Sequence, residues 1–214
     1  MSQSEPSDIP HCPSATSEDG LDRFTYPKYV LHRQFFKLLG EALRIYDNAG
    51  NLVLYSRMKA FKLKEDIRFY ASEAMEQELL VIRQRNILDF AGRFDVIDPA
   101  TNQTLGTLRR KGLTSMLRDE WALINENDAE VGRVREDSML HALARRAHEL
   151  VALLLPQKYT MELAGQPVAT IQRGFNPIFQ KIEVDFSPDE HVRLDRRLGL
   201  AAAVLVAVIE ERSE

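Results

Sequence analysis

One cysteine, Cys12, in 214 residues excludes an intramolecular disulfide and points to a reducing compartment, the cytoplasm. The first 22 residues contain no Lys or Arg, and "MSQSEPSDIPHCPSATSEDG" has neither the basic nor the apolar region of a secretory leader. Residues 1–27 therefore read as a disordered acidic tail, rich in Ser, Pro, Asp and Glu. That tail carries Glu5, Asp8, Glu18, Asp19 and Asp22; without them the net charge of −4 becomes 27 acids against 28 bases. A body that balanced has no general electrostatic drive toward nucleic acid, so any anion site has to be a local patch. Also missing are G-x-G-x-x-G, a P-loop, H-E-x-x-H and G-x-S-x-G. No catalytic residue, metal or cofactor is assigned on these grounds, and the reading is non-enzymatic.

Long apolar runs are absent too, with one exception. In "LDRRLGLAAAVLVAVIEERSE" the twelve residues Leu198–Ile209 carry no polar side chain. A bilayer needs about 20 apolar residues, whereas a run of 10–14 is more often a buried helix. A helix apolar on every side that does not cross a membrane must be enclosed by protein on every side. The expected central helix spans 195–212, with Leu198, Leu200, Val204, Leu205, Val208 and Ile209 as its core side chains. Gly199, Ala201, Ala202, Ala203 and Ala207 give it the slimness that lets strands approach closely.

The remaining chain supplies the enclosure. "LRIYDNAGNLVLYSR" (43–57), "GRFDVIDPATNQTLGTLRR" (92–110), "WALINENDAEVGRVR" (121–135) and "YTMELAGQPVATIQR" (159–173) each place two β-rich runs around a Gly, Pro, Asn or Asp turn. Alternating runs predict about twelve strands, near 29–35, 42–46, 52–57, 65–71, 78–84, 92–97, 104–110, 119–124, 130–135, 158–163, 167–173 and 179–185. An antiparallel set of that size closes or splits, and closure leaves an interior that the apolar helix can fill. The fold class is mainly β (α+β): a closed antiparallel barrel in one domain, 28–214. An extra amphipathic helix is expected at 137–156, with Met139, Leu143, Leu150 and Leu154 as its stripe and Pro156 as its end.

These segments, in this order and with the apolar helix last, resemble the tubby-like superfamily, in its LURP-one-related and phospholipid-scramblase-like branch. The resemblance covers nearly the whole chain after about residue 28. It implies a twelve-stranded barrel around a hydrophobic C-terminal helix, and a non-enzymatic binding module. Tubby-type members bind phosphoinositides and scramblases are associated with calcium-triggered lipid movement. The Pro-rich N-terminus, cysteine cluster and long terminal membrane segment associated with scramblases are missing here, which counts against transbilayer scrambling.

Bases recur at a spacing of two, Arg83 and Arg85, Arg109 and Lys111, Arg133 and Arg135, which puts each pair on one strand face. Together they would suit anionic lipid head groups or another anionic partner, with the protein cytoplasmic and peripheral at a membrane. The competing readings are a solvated barrel face with acids such as Glu120 and Glu130 opposite, and a protein-interaction domain that uses helix 137–156 and takes no small ligand. Asp185, Asp189 and Glu190 lack the alternation and central Gly of a calcium loop. They read better as a helix start, with Ser187 as cap, Pro188 first and Glu190 third. His141 and His148 stand about 10.5 Å apart along one helix, too far to share a metal. His11, His32 and His191 have no partner at ligand spacing.

Overall fold

The computed structural model describes residues 22–36, 40–58, 66–85, 92–111, 120–137, 157–174 and 180–209. They form one closed antiparallel barrel of twelve strands with a helix along its interior. The strands are β1 (Lys28–Phe36), β2 (Gly40–Asp47), β3 (Leu52–Met58), β4 (Ile67–Tyr70), β5 (Glu78–Gln84) and β6 (Arg93–Asp98), then β7 (Gln103–Lys111), β8 (Glu120–Ile124), β9 (Glu130–Glu136), β10 (Gln157–Leu163), β11 (Gln166–Gly174) and β12 (Gln180–Asp185). The helix, α1, is Arg196–Ile209. Every strand pairs with its neighbour in sequence, and β12 returns to pair with β1, Lys28 opposite Asp185 through Arg33 opposite Gln180. The meander therefore leaves no open edge.

Alternation sets the faces. In β1 the side chains of Tyr29, Leu31 and Arg33 are buried, whereas Val30 and His32 are half-buried and Gln34 is exposed. β2 and β12 show the same period of two. The five hairpin turns at one end of the barrel each have a register shift nearby: Ile45/Tyr46, Phe69/Tyr70, Val96/Ile97, Leu123/Ile124 and Met161/Glu162. An extra residue at each place bends the strand and sharpens the local twist. The segment between β12 and α1 joins them at this end.

The inward side chains and α1 make one core. From Leu200 to Val208 no residue of the helix is more than 3% exposed. Gly199 faces the Phe186 ring so closely that a Cβ would overlap it, and Gly106 on β7 makes room for Leu198. At the far end the Arg33 guanidinium, itself buried, donates to the Ala207 carbonyl, to Gln180 and to Glu41. A cation there satisfies a carbonyl in the last helical turn and complements the negative end of the helix dipole.

Two sequence expectations change. Residues 22–27, expected in the tail, belong to the body: Phe24 is buried, and Arg23 donates to the carbonyls of Val53 and Ala71 at 3.0 Å each. A short 3₁₀ turn, Asp22–Phe24, carries both. α1 starts at Arg196, within a residue of the expected 195, and the helix start expected at 187–190 is not formed, for a reason given below. The expected amphipathic helix of 137–156 falls, beyond Asp137, outside the described residues.

Two substitutions test this core. Val204→Asp places a charge on a fully enclosed side of α1, and the protein is expected to be insoluble or to lose its cooperative melting transition. Among the described residues, Ser56 Oγ is buried with no hydrogen-bond partner. Ser56→Ala removes that unsatisfied hydroxyl and is expected to leave the melting temperature equal or higher; a clear drop would show that the hydroxyl has a bonding role.

Candidate functional site

With α1 filling the barrel, the surfaces left open to a ligand are the outer wall and the rims. The six bases singled out in the sequence all stand on the outer wall. Arg83 is on β5 and Arg85 just past its end, Arg109 and Lys111 are on β7, and Arg133 and Arg135 on β9, with β6 and β8 between them. Register puts Arg109 opposite Ala122 and Ala122 opposite Arg133, so the two arginines stand two strands apart, about 9.6 Å.

Each base meets an acid. Arg83 bonds Asp66 at 3.0 Å, an acid it shares with Arg68. Arg85 forks onto both Asp95 oxygens at 3.0 and 2.9 Å, and Thr107 donates to the same carboxylate at 2.7 Å. Lys111 bridges Glu120 at 2.9 Å and Glu130 at 2.7 Å, while Arg109 lies 3.5 Å from Glu130. Arg133 and Arg135 converge on a single acid, Glu162, at 2.9 and 2.6 Å. The arrangement is thus two groups: Arg83 and Arg85 with Asp66 and Asp95, and a network across β7–β10 in which four bases share three acids.

The hydrogen bonds to these acids hold Lys111, Arg85 and Arg133 more firmly in the charged form than usual, through Glu130 and Glu120, Asp95, and Glu162 respectively. The bases keep a third or more of the side chain in solvent, so each pair is a weak surface contact. Glu162 differs, being only 8% exposed. Sequence reading foresaw Glu120 and Glu130 but not Glu162, Asp95 or Asp66, because partners 29 residues apart become neighbours only once register is known. Arg33 carried a readable signal, since it shares the parity of Tyr29 and Leu31.

The acids near α1 serve the fold. Asp189, 2% exposed, accepts from the backbone N–H of Arg193 at 3.0 Å and of Leu194 at 2.9 Å, and from the Arg196 guanidinium at 3.0 Å. Those bonds wind 186–194 into turns, with Val192 in the left-handed region at φ 49°, so a helix cannot begin at Ser187. Asp195 takes over as N-cap, accepting from Arg197 N–H at 2.9 Å. Arg197 also reaches Asp98 at 2.9 Å, and Arg196 lies 4.6 Å from the Phe186 ring centroid. Asp185 pairs with Lys28 at 2.9 Å. Among the described residues no group of three or more His, Cys, Asp or Glu could hold a metal ion.

A family model described as LURP-one-related matches residues 52–207. The chain belongs to the LURP-one-related family. Among solved structures, this LURP-one-related chain is similar to a protein of Arabidopsis thaliana at 14% identity, over 91% of this chain and 98% of that one, with a TM-score of 0.47. A comparison with curated proteins finds no match. Among the described residues, no helix is long and apolar enough to cross a membrane.

Burial alone would raise the Asp189 carboxyl's pKa, but the Leu194 and Arg193 amides and the two guanidiniums outweigh it and hold it below the usual carboxylate value. A depressed folded pKa gives stability that is complete above the unfolded value of about 3.9 and is lost as pH falls through the folded one. Asp189→Asn leaves the Arg196 charge buried without its acid, and is expected to cost about 3 kcal/mol at pH 7. Melting curves against pH should show a shallower acid limb below pH ~4 in the variant. An unchanged limb would remove Asp189 from the account of acid stability.

Proposed function

We propose that this LURP-one-related chain is a non-enzymatic, cytoplasmic binding module that recognises anionic lipid head groups at a membrane surface through its β7–β10 wall. The filled barrel supports recognition on the outside. One observation carries the choice of wall: Arg133 and Arg135 share the single carboxylate of Glu162, so the network retains an uncompensated positive charge. The bases are already held in place by the acids, and a phosphate competes with weak surface pairs for arginine forks suited to it.

A second reading is favoured by a different feature of the outer wall. Each of the six bases has an acid beside it, and a surface of interleaved sign also suits a protein partner of complementary pattern.

Sedimentation with vesicles, with and without anionic lipid, separates the two. At low salt, where such attraction is strongest, binding should require the anionic lipid. Replacing Arg109 and Arg133 with Glu should abolish it and leave melting nearly unchanged. Glu162→Gln frees a charge and should strengthen binding about fivefold, from roughly 1 kcal/mol per added charge near an anionic surface. If neither the wild type nor Glu162→Gln sediments with anionic vesicles, the lipid reading fails and the protein-partner reading takes its place.

A further inference from the structure

On the far side of the barrel from the β7–β10 wall, register assembles a second row of bases from β12, β1 and β2. Lys181 stands opposite His32, and His32 stands opposite Arg44. All three take outward positions, since their strand neighbours Ile182, Leu31, Arg33, Leu43 and Ile45 are buried. Adjacent strands are about 4.8 Å apart, so three nitrogen-bearing side chains follow one another within about 10 Å.

Aromatic rings set the row. The Tyr46 ring lies 5.1 Å from the His32 ring at 58°, and the Arg44 guanidinium sits 5.4 Å from the Tyr55 centroid. Like charges directly across strands are destabilising, and the row is tolerated because its centre stays neutral. Burial first, then the charges of Lys181 and Arg44, keep His32 from taking a proton in its ordinary range. Among the described residues Lys181 pairs with Glu183 at 2.8 Å and Arg44 with Glu73 at 2.7 Å, the acids' side chains being 55% and 54% exposed. Pairs that open to solvent are weak and give way to a better ligand.

We propose that Lys181, His32 and Arg44 form a binding site for a phosphate monoester dianion. Lysine supplies a point charge, arginine a planar fork, and protonated His32 a third donor. Three donor-bearing side chains can bond the three terminal oxygens of a monoester one each, whereas a diester offers only two. The ligand is a soluble phosphate or a phosphomonoester lipid head group. The site is independent of the β7–β10 wall, and the Arg109 and Arg133 replacements leave it intact.

Binding and proton uptake at His32 are linked, and linkage is reciprocal: an anion that prefers the imidazolium raises the pH at which the ring titrates. The test follows the His32 ring by NMR across pH in the full chain, the resonance being assigned by its loss in His32→Gln. Inorganic phosphate is compared with chloride at matched ionic strength, and phosphatidylcholine vesicles with the same vesicles carrying phosphatidic acid. Phosphate is expected to raise the midpoint by about one pH unit beyond chloride, which corresponds to a tenfold preference for the protonated site. Lys181→Gln should raise the midpoint in chloride and remove the additional phosphate shift. A shift with free phosphate assigns a soluble ligand, and one only with phosphatidic acid assigns a lipid head group. If phosphate does no more than chloride and phosphatidic acid no more than phosphatidylcholine, the site does not exist.

Discussion

Everything else in this protein follows from one constraint: α1 has no polar side along Leu198–Val208, so the chain must surround it. A 14-residue helix is about 21 Å long, and a single sheet face can cover only one side of it. A closed barrel is the architecture that covers a helix from all directions while leaving no strand edge unpaired. Leu198, Leu200, Val204, Leu205, Val206 and Val208 are each buried. At about 1.5–3 kcal/mol per side chain, their gross contribution rivals the net stability of a whole domain, about 5–15 kcal/mol. The helix is therefore better regarded as the core of the barrel than as an addition to it. Polar anchors fix its two ends, Asp189 and Asp195 where the chain enters and Arg33 where it ends.

Much of this was legible in the sequence, and the reasons are specific. Hairpins such as 43–57 combine a period of two with turn residues that admit few conformations. At that turn Asp47 accepts from the amides of Ala49 and Asn51, a bonding pattern its side chain is built for. Strand placement therefore came within about three residues of the observed bounds, β1 and β4 included. The bulges were not legible, because one extra residue leaves the alternation on either side intact. The start of α1 falls within a residue of the expected 195, but a further helix start was expected at Ser187-Pro188-Asp189-Glu190, which satisfies local rules for a helix cap. What overrides them is Asp189 bonding to Arg196, seven residues on. The charged wall was half legible: spacing put bases on the outward face, but the acid beside each depends on register, which spacing does not contain.

A filled barrel also explains where function has to be sought. Side chains pointing inward are committed to α1, so recognition falls to outward side chains whose neighbours are set by strand pairing. That gives a wall a fixed charge pattern on rigid strands, with little reorganisation needed when a ligand arrives. The two basic surfaces differ in how their charge is kept. Across β7–β10 the charge is permanent and opposed by acids. In the Lys181–His32–Arg44 row burial and the two flanking cations lower the pKa of the central imidazole. Among the described residues β3 and β4 share one aligned pair, Tyr55 with Tyr70.

The most direct measurement of the central claim is the behaviour of the chain with residues 198–214 deleted, expressed without detergent. Trp121 is the natural reporter, because its ring is 1% exposed and packs 5.9 Å from Phe94 inside the barrel. The account predicts an insoluble product, or a soluble one with no cooperative melting transition and with the Trp121 emission of a solvated indole. A soluble, cooperatively melting product that retains the buried Trp121 emission of the full chain would show that the strands stand without the helix, and would contradict it.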